Sequence, residues 1–287
     1  RKTLVVWNTE SRSLSEEEAY QKVRRACAQA LKPETHILLK KADSAFRGHY
    51  GREISAVMDA WPKAIAGLLP AIPTFGRVTR KGVQFLNGVP IAESFYRHDP
   101  KHPVKESRVA IMASKGNPRK IALLTLTMIR NPRSHQILDM LLKSGHRLIV
   151  ADSETQNDLN HVVSLFVDQQ TPLILVGGQG MGQAVAGHCL PLRTKNTWTP
   201  LPKVATVIVC GSLHPRTRQQ LHNFAKTFNV EPITIRQHRI GLKLSLDARQ
   251  KVVERLLDQI SQRRVGVLTS PDHDLLDPML VETVLAD

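Results

Sequence analysis

The densest cluster of polar side chains in the sequence is Lys40-Lys41-Ala42-Asp43-Ser44-Ala45-Phe46-Arg47-Gly48, which directly follows an apolar run ending at Leu39. Ligands of open α/β sheets bind beyond the carboxyl ends of the strands, where these side chains would lie. Lys41 and Arg47 can neutralise an anion, and Arg can hold a carboxylate with two parallel hydrogen bonds. Asp43 can orient a substrate hydroxyl or assist its deprotonation. The alternative is a helix start with a surface ion pair.

A second cluster, Thr9-Glu10-Ser11-Arg12, follows the strand-like run Thr3-Leu4-Val5-Val6-Trp7. The carboxyl ends of parallel strands meet at one edge of a sheet, so we expect both clusters to share that edge. Arg12 and Arg47 are then predicted to converge and to grip a carboxylate between them.

Three further loops could hold an anion or serve only as connections. Gly76–Gly82 is basic and flanked by glycines, so its Arg77 could close over an anion or be exposed. Gly211–Thr217 lies between a strand and a helix, where backbone N–H groups and hydroxyls can bind phosphate. Gly177–Gly182 lacks both the G-x-G-x-x-G spacing and the P-loop lysine, and we interpret it as a tight strand-to-helix connection.

The charge of the chain is unevenly distributed. The 287 residues carry a net charge of +15, and residues 61–120 hold 11 Lys/Arg against 3 Asp/Glu. Such a stretch suits acidic small molecules, phosphates or nucleic acid. The few aromatic residues are not interleaved with it, so a base-stacking platform is not indicated. A solvated basic surface without a partner is the alternative.

Several classes of protein are disfavoured by the sequence. No run of about 18 apolar residues could span a membrane, and no secretory signal is present at Arg1. Cys27, Cys189 and Cys210 fit neither a disulfide framework nor a zinc site, so a reducing cytoplasm is expected. No H-E-x-x-H or G-x-S-x-G motif occurs, so we expect no histidine-ligated metal and no serine-hydrolase chemistry.

The order of predicted elements indicates an α/β fold. Ser15 with Glu18 predicts the start of a helix that runs to about Leu31, and Leu173–Val176 followed by a glycine turn predicts a βα unit. Pro70–Pro103 is expected to be irregular, with one hairpin near Asn87-Gly88. Further strands are predicted at His36–Leu39, Ala64–Leu69, Arg147–Val150, Val204–Cys210 (a buried strand), Ile233–Ile235 and Val265–Leu268. Further helices are predicted at Gly51–Trp61, Ser134–Lys143, Glu154–Val167 and Leu246–Ile260, and from Pro215 onward.

We therefore expect two three-layer α/β domains with mainly parallel sheets and a cleft between them. The predicted domains are residues 1–190 and 203–287, joined by a polar, proline-containing linker at residues 191–202.

Taken together, these motifs resemble those of the four-carbon acid sugar kinase family, once catalogued only as a domain of unknown function. The resemblance covers most of the chain. The similar stretches are T-E-S-R (Thr9–Arg12), K-K-x-D-S-x-x-R-G (Lys40–Gly48), P-A-x-P-x-x-G-R-x-T-x-x-G (Pro70–Gly82), G-V-P-I-A-E-S (Gly88–Ser94) followed by D-P (Asp99-Pro100) and P-V (Pro103-Val104), Val150–Leu159 and G-S-x-x-P-x-T-x-x-Q (Gly211–Gln220).

The resemblance implies ATP-dependent phosphorylation of threonate, erythronate or 3-oxo-tetronates, with ATP and Mg²⁺ bound by the C-terminal domain and the acid sugar by the N-terminal domain. A homodimer is also considered, while nucleic-acid and membrane partners are not expected. The implied substrate-binding residues are Ser11, Arg12, Lys41, Asp43, Ser44, Arg47 and Arg77. The implied ATP-binding residues are Gly211, Ser212, His214 and Thr217.

The sequence also departs from the family pattern. The family's N-terminal Asp-Asp-x-Thr-Gly motif, which holds the expected catalytic base, is absent, and so are its later Gly-Gly-Asp/Glu-Thr-Ala turn and glycine-rich loop. Ala45 and Phe46 replace the usual Thr and Leu, and His214 stands where Ser is common. We therefore expect a kinase shortened at both ends and incomplete for catalysis, or a non-catalytic sugar-acid-binding relative. A basic nucleic-acid-binding protein is a third, weaker alternative.

Overall fold

The computed structural model describes residues 5–99, 101–189, 204–212, 215–235 and 245–270. The chain divides into two compact units, residues 1–194 and residues 195–287. The predicted linker at residues 191–202 lies outside the described residues.

The first unit is built from alternating helices and strands. In chain order these are α1 (Glu16–Ala30), β1 (Ile37–Lys41), α2 (Tyr50–Ala60), β2 (Ile65–Leu69), β3 (Arg77–Arg80), β4 (Val83–Leu86), β5 (Val89–Pro90), α3 (Val109–Ser114), β6 (Ile121–Leu124), α4 (Leu126–Ile129), α5 (Ser134–Lys143), β7 (Leu148–Ala151), α6 (Gln156–Val167), β8 (Leu173–Gly177) and α7 (Gln179–Cys189).

Five of these strands form a parallel sheet in the order β1-β8-β2-β7-β6. Alternate residues of the central strands enter different cores. Val150 and Val176 pack with α1, α2 and α3, whereas Ile149 and Leu175 pack with α5, α6 and α7. Because strand side chains alternate between faces, helices on both sides bury the three central strands, β2, β7 and β8, along their whole length. The predicted three-layer α/β architecture is confirmed for this unit.

The start of α1 follows from its capping residues. Ser15 accepts a hydrogen bond from the backbone of Glu18, and the Glu18 carboxylate in turn accepts one from the backbone of Ser15. Ala19, Val23 and Cys27 are buried one helical turn apart, on the face toward α2. The predicted helix therefore begins and ends where its sequence signals indicate.

The region between β2 and α3 is more ordered than predicted. β3, β4 and β5 form an antiparallel sheet with turns at Lys81-Gly82 and Asn87-Gly88. The predicted Asn87-Gly88 hairpin is confirmed, and the prediction of an irregular segment is wrong for the hairpin of β3 and β4, while residues 70–76 and 91–99 contain only short 3-10 segments, turns and loops. The three short strands are stabilised by long-range partners such as the bridge between Thr79 and Ser153, which a local pattern of proline and glycine does not encode.

No strand forms in the described part of the N-terminal run, residues 5–7. Val5, Val6 and Trp7 are 65%, 83% and 50% exposed. An extended segment becomes a strand only when a neighbour pairs with it, and among the described residues none does. The prediction that Thr9–Arg12 follows a strand of the sheet is therefore wrong for residues 5–7.

The second unit contains β9 (Thr206–Cys210), α8 (Pro215–Phe228), β10 (Ile233–Thr234), α9 (Leu246–Arg263) and β11 (Val265–Thr269). Its strands are parallel, in the order β10-β11-β9, and α9 packs against all three of them. Val207 and Val209 on β9 are 48% and 50% exposed, so the prediction of a buried strand there is wrong. In the described part of the sheet β9 is an edge strand with one neighbour, which leaves its side chains less covered.

Among the residues described, no helix is long and apolar enough to cross a membrane.

Candidate functional site

The predicted pair of arginines meets at a single carboxylate, which belongs to the protein itself. Arg47 donates from Nε and Nη2 to the two oxygens of Asp43 at 2.9 and 3.0 Å. Arg12 Nη2 lies 3.5 Å from Asp43 Oδ1. Bidentate pairing of this kind is the strongest form of a carboxylate–guanidinium contact. Asp43 therefore joins the loop that carries Arg12 to the turn that carries Arg47.

Arg47 is paired with a second carboxylate as well. Its Nη1 donates to Asp99 Oδ2 at 3.0 Å. Burial acts to raise the pKa of Asp43, but the hydrogen bonds and positive charge of Arg47 outweigh it and hold this pKa below its usual value. The hydrogen bond to Asp43 correspondingly raises the pKa of Arg47. Arg47 is thus a charged centre that organises the site, with two carboxylates already in contact.

The turn before Arg47 has a constrained backbone. Phe46 has φ of 63°, in the left-handed region that a bulky residue rarely adopts. Its ring is 1% exposed and packs edge-on against Tyr50, with ring centroids 5.0 Å apart. Burial of the ring thus holds the residue before Arg47 in a strained backbone conformation, and such strain is common at binding sites.

The loop that carries Arg12 is anchored by a hydrogen bond from Ser11 to Glu53. The Ser11 hydroxyl is buried and donates to Glu53 Oε1 at 2.7 Å, while Lys40 Nζ lies 2.5 Å from the other oxygen of Glu53. Glu10 has φ of 45°, so this loop also contains a left-handed residue. The structure therefore shows Ser11 in a buried hydrogen bond with Glu53, a carboxylate that also pairs with Lys40.

Arg77 reaches the same region from β3. Its Nη1 donates to Ser44 Oγ at 2.8 Å, and its Nη2 donates to the hydroxyl of Tyr96. The Tyr96 ring lies 5.2 Å from the guanidinium carbon of Arg47 and 5.5 Å from that of Arg77. Ser44, Arg47 and Arg77 are thus brought together, and the Tyr96 ring lies within cation–π distance of both guanidinium groups.

Tyr96 was not among the residues that the sequence motifs pointed to. It lies in a short 3-10 segment, Phe95–His98, inside the region predicted to be irregular. Its position shortly after the G-V-P-I-A-E-S stretch is the signal that could have found it. Asp99, the second partner of Arg47, lies in the same region; its Asp-Pro pair was part of the family resemblance, but Asp99 was not among the implied substrate-binding residues.

Lys41 ends β1 at the same edge of the sheet. Its backbone pairs with Gly177 of β8, and its Nζ donates to the carbonyl of Ala42 at 3.1 Å. The turn after β8 is close by, since a Cβ on Gly178 would lie 3.8 Å from Cβ of Ser44. The carboxyl ends of β1 and β8 therefore border the cluster of charged residues.

Asp152 attaches the β3–β4 hairpin to the central sheet. It follows β7 and is 1% exposed. Its carboxylate accepts the backbone N–H of Lys81 at 2.7 Å and that of Gly82 at 2.8 Å. Burial raises its pKa, against the opposing effect of these backbone hydrogen bonds. Since Arg77 begins the same hairpin, Asp152 fixes the strand from which Arg77 reaches the site.

Three arginines of the basic stretch at residues 61–120 form ion pairs within the protein. Arg108 contacts Glu106 at 2.7 Å, and Arg119 contacts Asp59 at 2.5 Å. Arg80 forms an ion pair with Glu154. The pairs of Arg80 and Arg119 join segments distant in sequence, whereas Arg108 and Glu106 lie two residues apart, and for these three arginines the net charge overstates the positive charge that is available to a partner.

In the second unit, the predicted phosphate-binding segment lies at the carboxyl end of β9. Gly211 and Ser212 follow this strand, and Thr217 lies in the first turn of α8. His214, the other predicted residue, lies outside the described residues. A helix N-terminus with hydroxyl side chains is an arrangement that suits phosphate groups in general.

Arg218 occupies the same edge of this second sheet. It donates from Nη1 to Thr269 Oγ1 at 2.6 Å and from Nη2 to Ser270 Oγ at 2.8 Å. Ser270 in turn donates its backbone N–H to the carbonyl of Cys210 at 3.1 Å. The carboxyl ends of β9 and β11 are therefore held together beside the predicted phosphate-binding segment.

Comparison with protein families gives one match that covers most of the chain. Residues 1–185 match the model of a family described as the sugar-binding N-terminal domain. This chain belongs to the four-carbon acid sugar kinase family. The unit that contains Asp43 and its arginine partners is the part that matches the family model.

Relatives in this family are named as kinases. The chain is 28% identical to a D-threonate kinase of Salmonella typhimurium, over all of this chain and 67% of that protein. It is 26% identical to a D-erythronate kinase of Heliobacterium modesticaldum, over 91% of this chain and 60% of that protein. The chain therefore spans roughly two thirds of the length of these curated relatives.

The fold is shared with solved structures. The crystal structure of a protein from Salmonella typhimurium LT2 superposes with a TM-score of 0.69 at 22% identity, covering 92% of this chain and 63% of that chain. At this identity, the likeness supports the shared α/β fold.

Proposed function

We propose that the first unit binds a four-carbon sugar acid, and that the whole protein phosphorylates this acid with ATP. The observation that carries the proposal is the convergence of Arg12, Arg47 and Arg77 around Asp43 and Ser44, in the unit that matches a sugar-binding domain. A compact set of guanidinium and hydroxyl groups suits a small ligand that has one carboxylate and several hydroxyls.

Within this site, the predicted residues take different roles. Arg12 is half-exposed and has donors available to the acid, and Lys41 is an exposed cation at the end of β1. Asp43 accepts hydrogen bonds from arginine and could accept a further one from a substrate hydroxyl. Ser11 would act by holding the Arg12 loop through Glu53, a supporting role in place of direct contact.

ATP is the proposed phosphoryl donor, because the curated relatives are named as kinases. The segment after β9 and the first turn of α8 would hold its phosphates through Gly211, Ser212, His214 and Thr217. Mg²⁺ bound to the nucleotide would neutralise the phosphate charge during transfer. Phosphoryl transfer requires a protein to hold anions and to position the reacting groups, and the arginines and Asp43 of the first unit would do so.

The proposal is tested by calorimetric titration of this 287-residue chain with D-threonate, D-erythronate and 3-oxo-tetronates, and separately with Mg·ATP. Binding of one of these acids, with a thermal shift on saturation, supports the sugar-acid site. A coupled assay of ADP release then tests phosphoryl transfer. If none of these acids binds in the titrations, the proposal is contradicted.

These measurements, together with a titration with RNA or DNA, distinguish the kinase from the two alternative functions. Acid binding without ADP release supports a non-catalytic sugar-acid-binding relative. Binding of RNA or DNA that weakens steeply with salt, in the absence of acid binding, supports a nucleic-acid-binding protein instead.

A further inference from the structure

The three arginines of the site differ in their carboxylate partners. Arg47 contacts Asp43 and Asp99, and Arg12 contacts Asp43 at 3.5 Å. Arg77, by contrast, has no carboxylate within 4.0 Å among the described residues; the partners of its terminal nitrogens are the neutral hydroxyls of Ser44 and Tyr96. A partly buried guanidinium without an anion is costly, so its charge calls for a compensating ligand.

The unused hydrogen-bonding capacity of Arg77 also indicates that an anionic ligand binds to it. A guanidinium has five N–H donors, and two of its nitrogens are engaged by one hydroxyl each. Its Nε is buried and has no hydrogen-bond partner among the described residues. A buried N–H donor without an acceptor destabilises a folded protein unless a bound ligand accepts its hydrogen bond or contributes other favourable interactions that offset this cost. Arg47, whose Nε, Nη1 and Nη2 all donate to carboxylates, has far less capacity for a new anion.

Tyr96 is placed to hold Arg77 in this position. It is 7% exposed, and its hydroxyl accepts from Arg77 Nη2 while its ring faces both Arg77 and Arg47. Its backbone is also fixed, because its N–H donates to Ser94 Oγ at 3.3 Å and its carbonyl accepts from Val104 N at 3.0 Å. The tyrosine thus restrains the guanidinium from a rigid segment.

We propose that Arg77, beside Ser44, receives the carboxylate of the sugar acid, and that Tyr96 is the positioning residue that holds Arg77 for this contact. The proposal rests on the sugar-acid site proposed above. It gives the ligand a direction: the carboxylate lies at Arg77, and the hydroxyls lie toward Asp43, Arg12 and Lys41. The Asp43–Arg47–Asp99 group then organises the site without binding the carboxylate itself.

The test compares D-threonate with its neutral amide, D-threonamide, in calorimetric titrations of the full 287-residue chain. A hydrogen-bonded charge contact corresponds to about 10- to 100-fold in affinity, so the wild type should prefer the acid by that factor. Arg77→Gln should remove most of this preference, and Arg77→Lys should retain part of it. Arg12→Gln should leave the acid-to-amide ratio within about twofold of the wild type, because a half-exposed guanidinium on the hydroxyl side of the ligand does not distinguish the acid from the amide.

Tyr96→Phe tests the positioning role. It keeps the ring but removes the hydroxyl that accepts from Arg77, so the acid-to-amide ratio should fall while binding of the amide changes little. The matched control is Tyr20→Phe, since Tyr20 also has an arginine over its ring, Arg52 at 4.0 Å, and its hydroxyl donates to Asp59 at 2.8 Å. The control should lower thermal stability without changing the ratio.

Each result has a distinct meaning. If the wild type binds neither compound, the proposed function fails. If it binds the acid, but Arg77→Gln and Arg77→Lys both keep the full preference, or Arg12→Gln removes it, the carboxylate assignment is overturned. If Tyr96→Phe behaves like Tyr20→Phe, the positioning role is overturned. If Arg77→Gln fails to fold, Arg77→Lys and Tyr96→Phe still decide the outcome.

Discussion

A Cβ atom on Gly48 would lie 3.2 Å from Cγ of Arg12 and 3.5 Å from its Cα. The loop that carries Arg12 and the turn that carries Arg47 are therefore in direct contact, and a glycine at position 48 permits the approach. Gly48 also has φ of +85°, a conformation that glycine adopts without cost. This contact explains how Arg12 reaches Asp43 although residues 5–7 form no strand that could place it.

Gly48→Ala is expected to weaken sugar-acid binding, because the added methyl group must displace Arg12. Gly88→Ala is a matched control, since Gly88 has φ of +84° and a methyl group there would meet no described atom within 4 Å. Both variants should lose about 1–2 kcal/mol of stability from the left-handed backbone. Only Gly48→Ala should lower affinity for D-threonate in calorimetric titrations, by about two- to fivefold. Equal affinities for the two variants would contradict the role of this contact.

Arg47→Ala should reduce both binding and stability. The variant leaves Asp43 and Asp99 without the cation that they share, and each lost charged hydrogen bond costs about 1.5–3 kcal/mol before solvent compensates. We expect a lower midpoint in urea unfolding together with weaker D-threonate binding. Arg47→Ala/Asp43→Ala/Asp99→Ala removes all three charges and should recover part of the stability. A single variant as stable as the wild type would show that the ion pairs contribute little.

Asp152→Asn should loosen the β3–β4 hairpin. An amide offers one oxygen acceptor where the carboxylate offers two, so the N–H of Lys81 or that of Gly82 loses its partner. Leaving such a buried donor unsatisfied costs about 1–3 kcal/mol. The prediction is faster amide hydrogen exchange at Lys81 and Gly82 and weaker D-threonate binding through Arg77. Asp168→Asn, at a half-exposed carboxylate, should change neither measurement.

Asp158 should make stability depend on pH at the acid end. Burial acts to raise its pKa, but hydrogen bonds from Arg130 and Thr155 outweigh it and lower this pKa to about 2. The folded-state pKa lies below the unfolded value of about 3.9, so the stabilisation is complete above about pH 4 and is lost between about pH 4 and 2. Its size is on the order of 2 kcal/mol.

Urea unfolding of the wild type and of Asp158→Asn between about pH 7 and pH 2 measures this contribution. The difference in unfolding free energy between the two proteins should shrink as the pH falls through this window. A difference that stays constant to the acid end of the range would assign the effect of the substitution to packing or helix capping alone.

Ser212→Ala should weaken Mg·ATP binding and leave D-threonate binding unchanged. Ser212 directly follows β9 in the second unit, where the proposed phosphate-binding segment begins, whereas the proposed acid site lies in the first unit. Parallel titrations with the two ligands make the comparison. Loss of D-threonate affinity with ATP affinity intact would place the nucleotide site elsewhere.

The sequence alone was sufficient to predict the elements that are specified by a short local motif or by a continuous run of apolar residues. The capping pair at Ser15 and Glu18, the apolar run at β8 and the Asn87-Gly88 turn each produced the structure that they predict. The motifs also indicated that Arg12 and Arg47 approach each other, but the reason given was wrong for Arg12, because residues 5–7 form no strand and Arg12 reaches Asp43 through the loop that contacts Gly48.

Tertiary structure decided how those residues are used. Whether Val5–Trp7 pairs, whether β9 is buried, and which carboxylates Arg47 contacts all depend on neighbours distant in sequence. The sequence alone therefore determined which charged residues are candidates for the site. Which arginine is left without an anion among the described residues was determined only by folding, since Asp99, Ser44 and Tyr96 approach the arginines through long-range packing that no local pattern encodes.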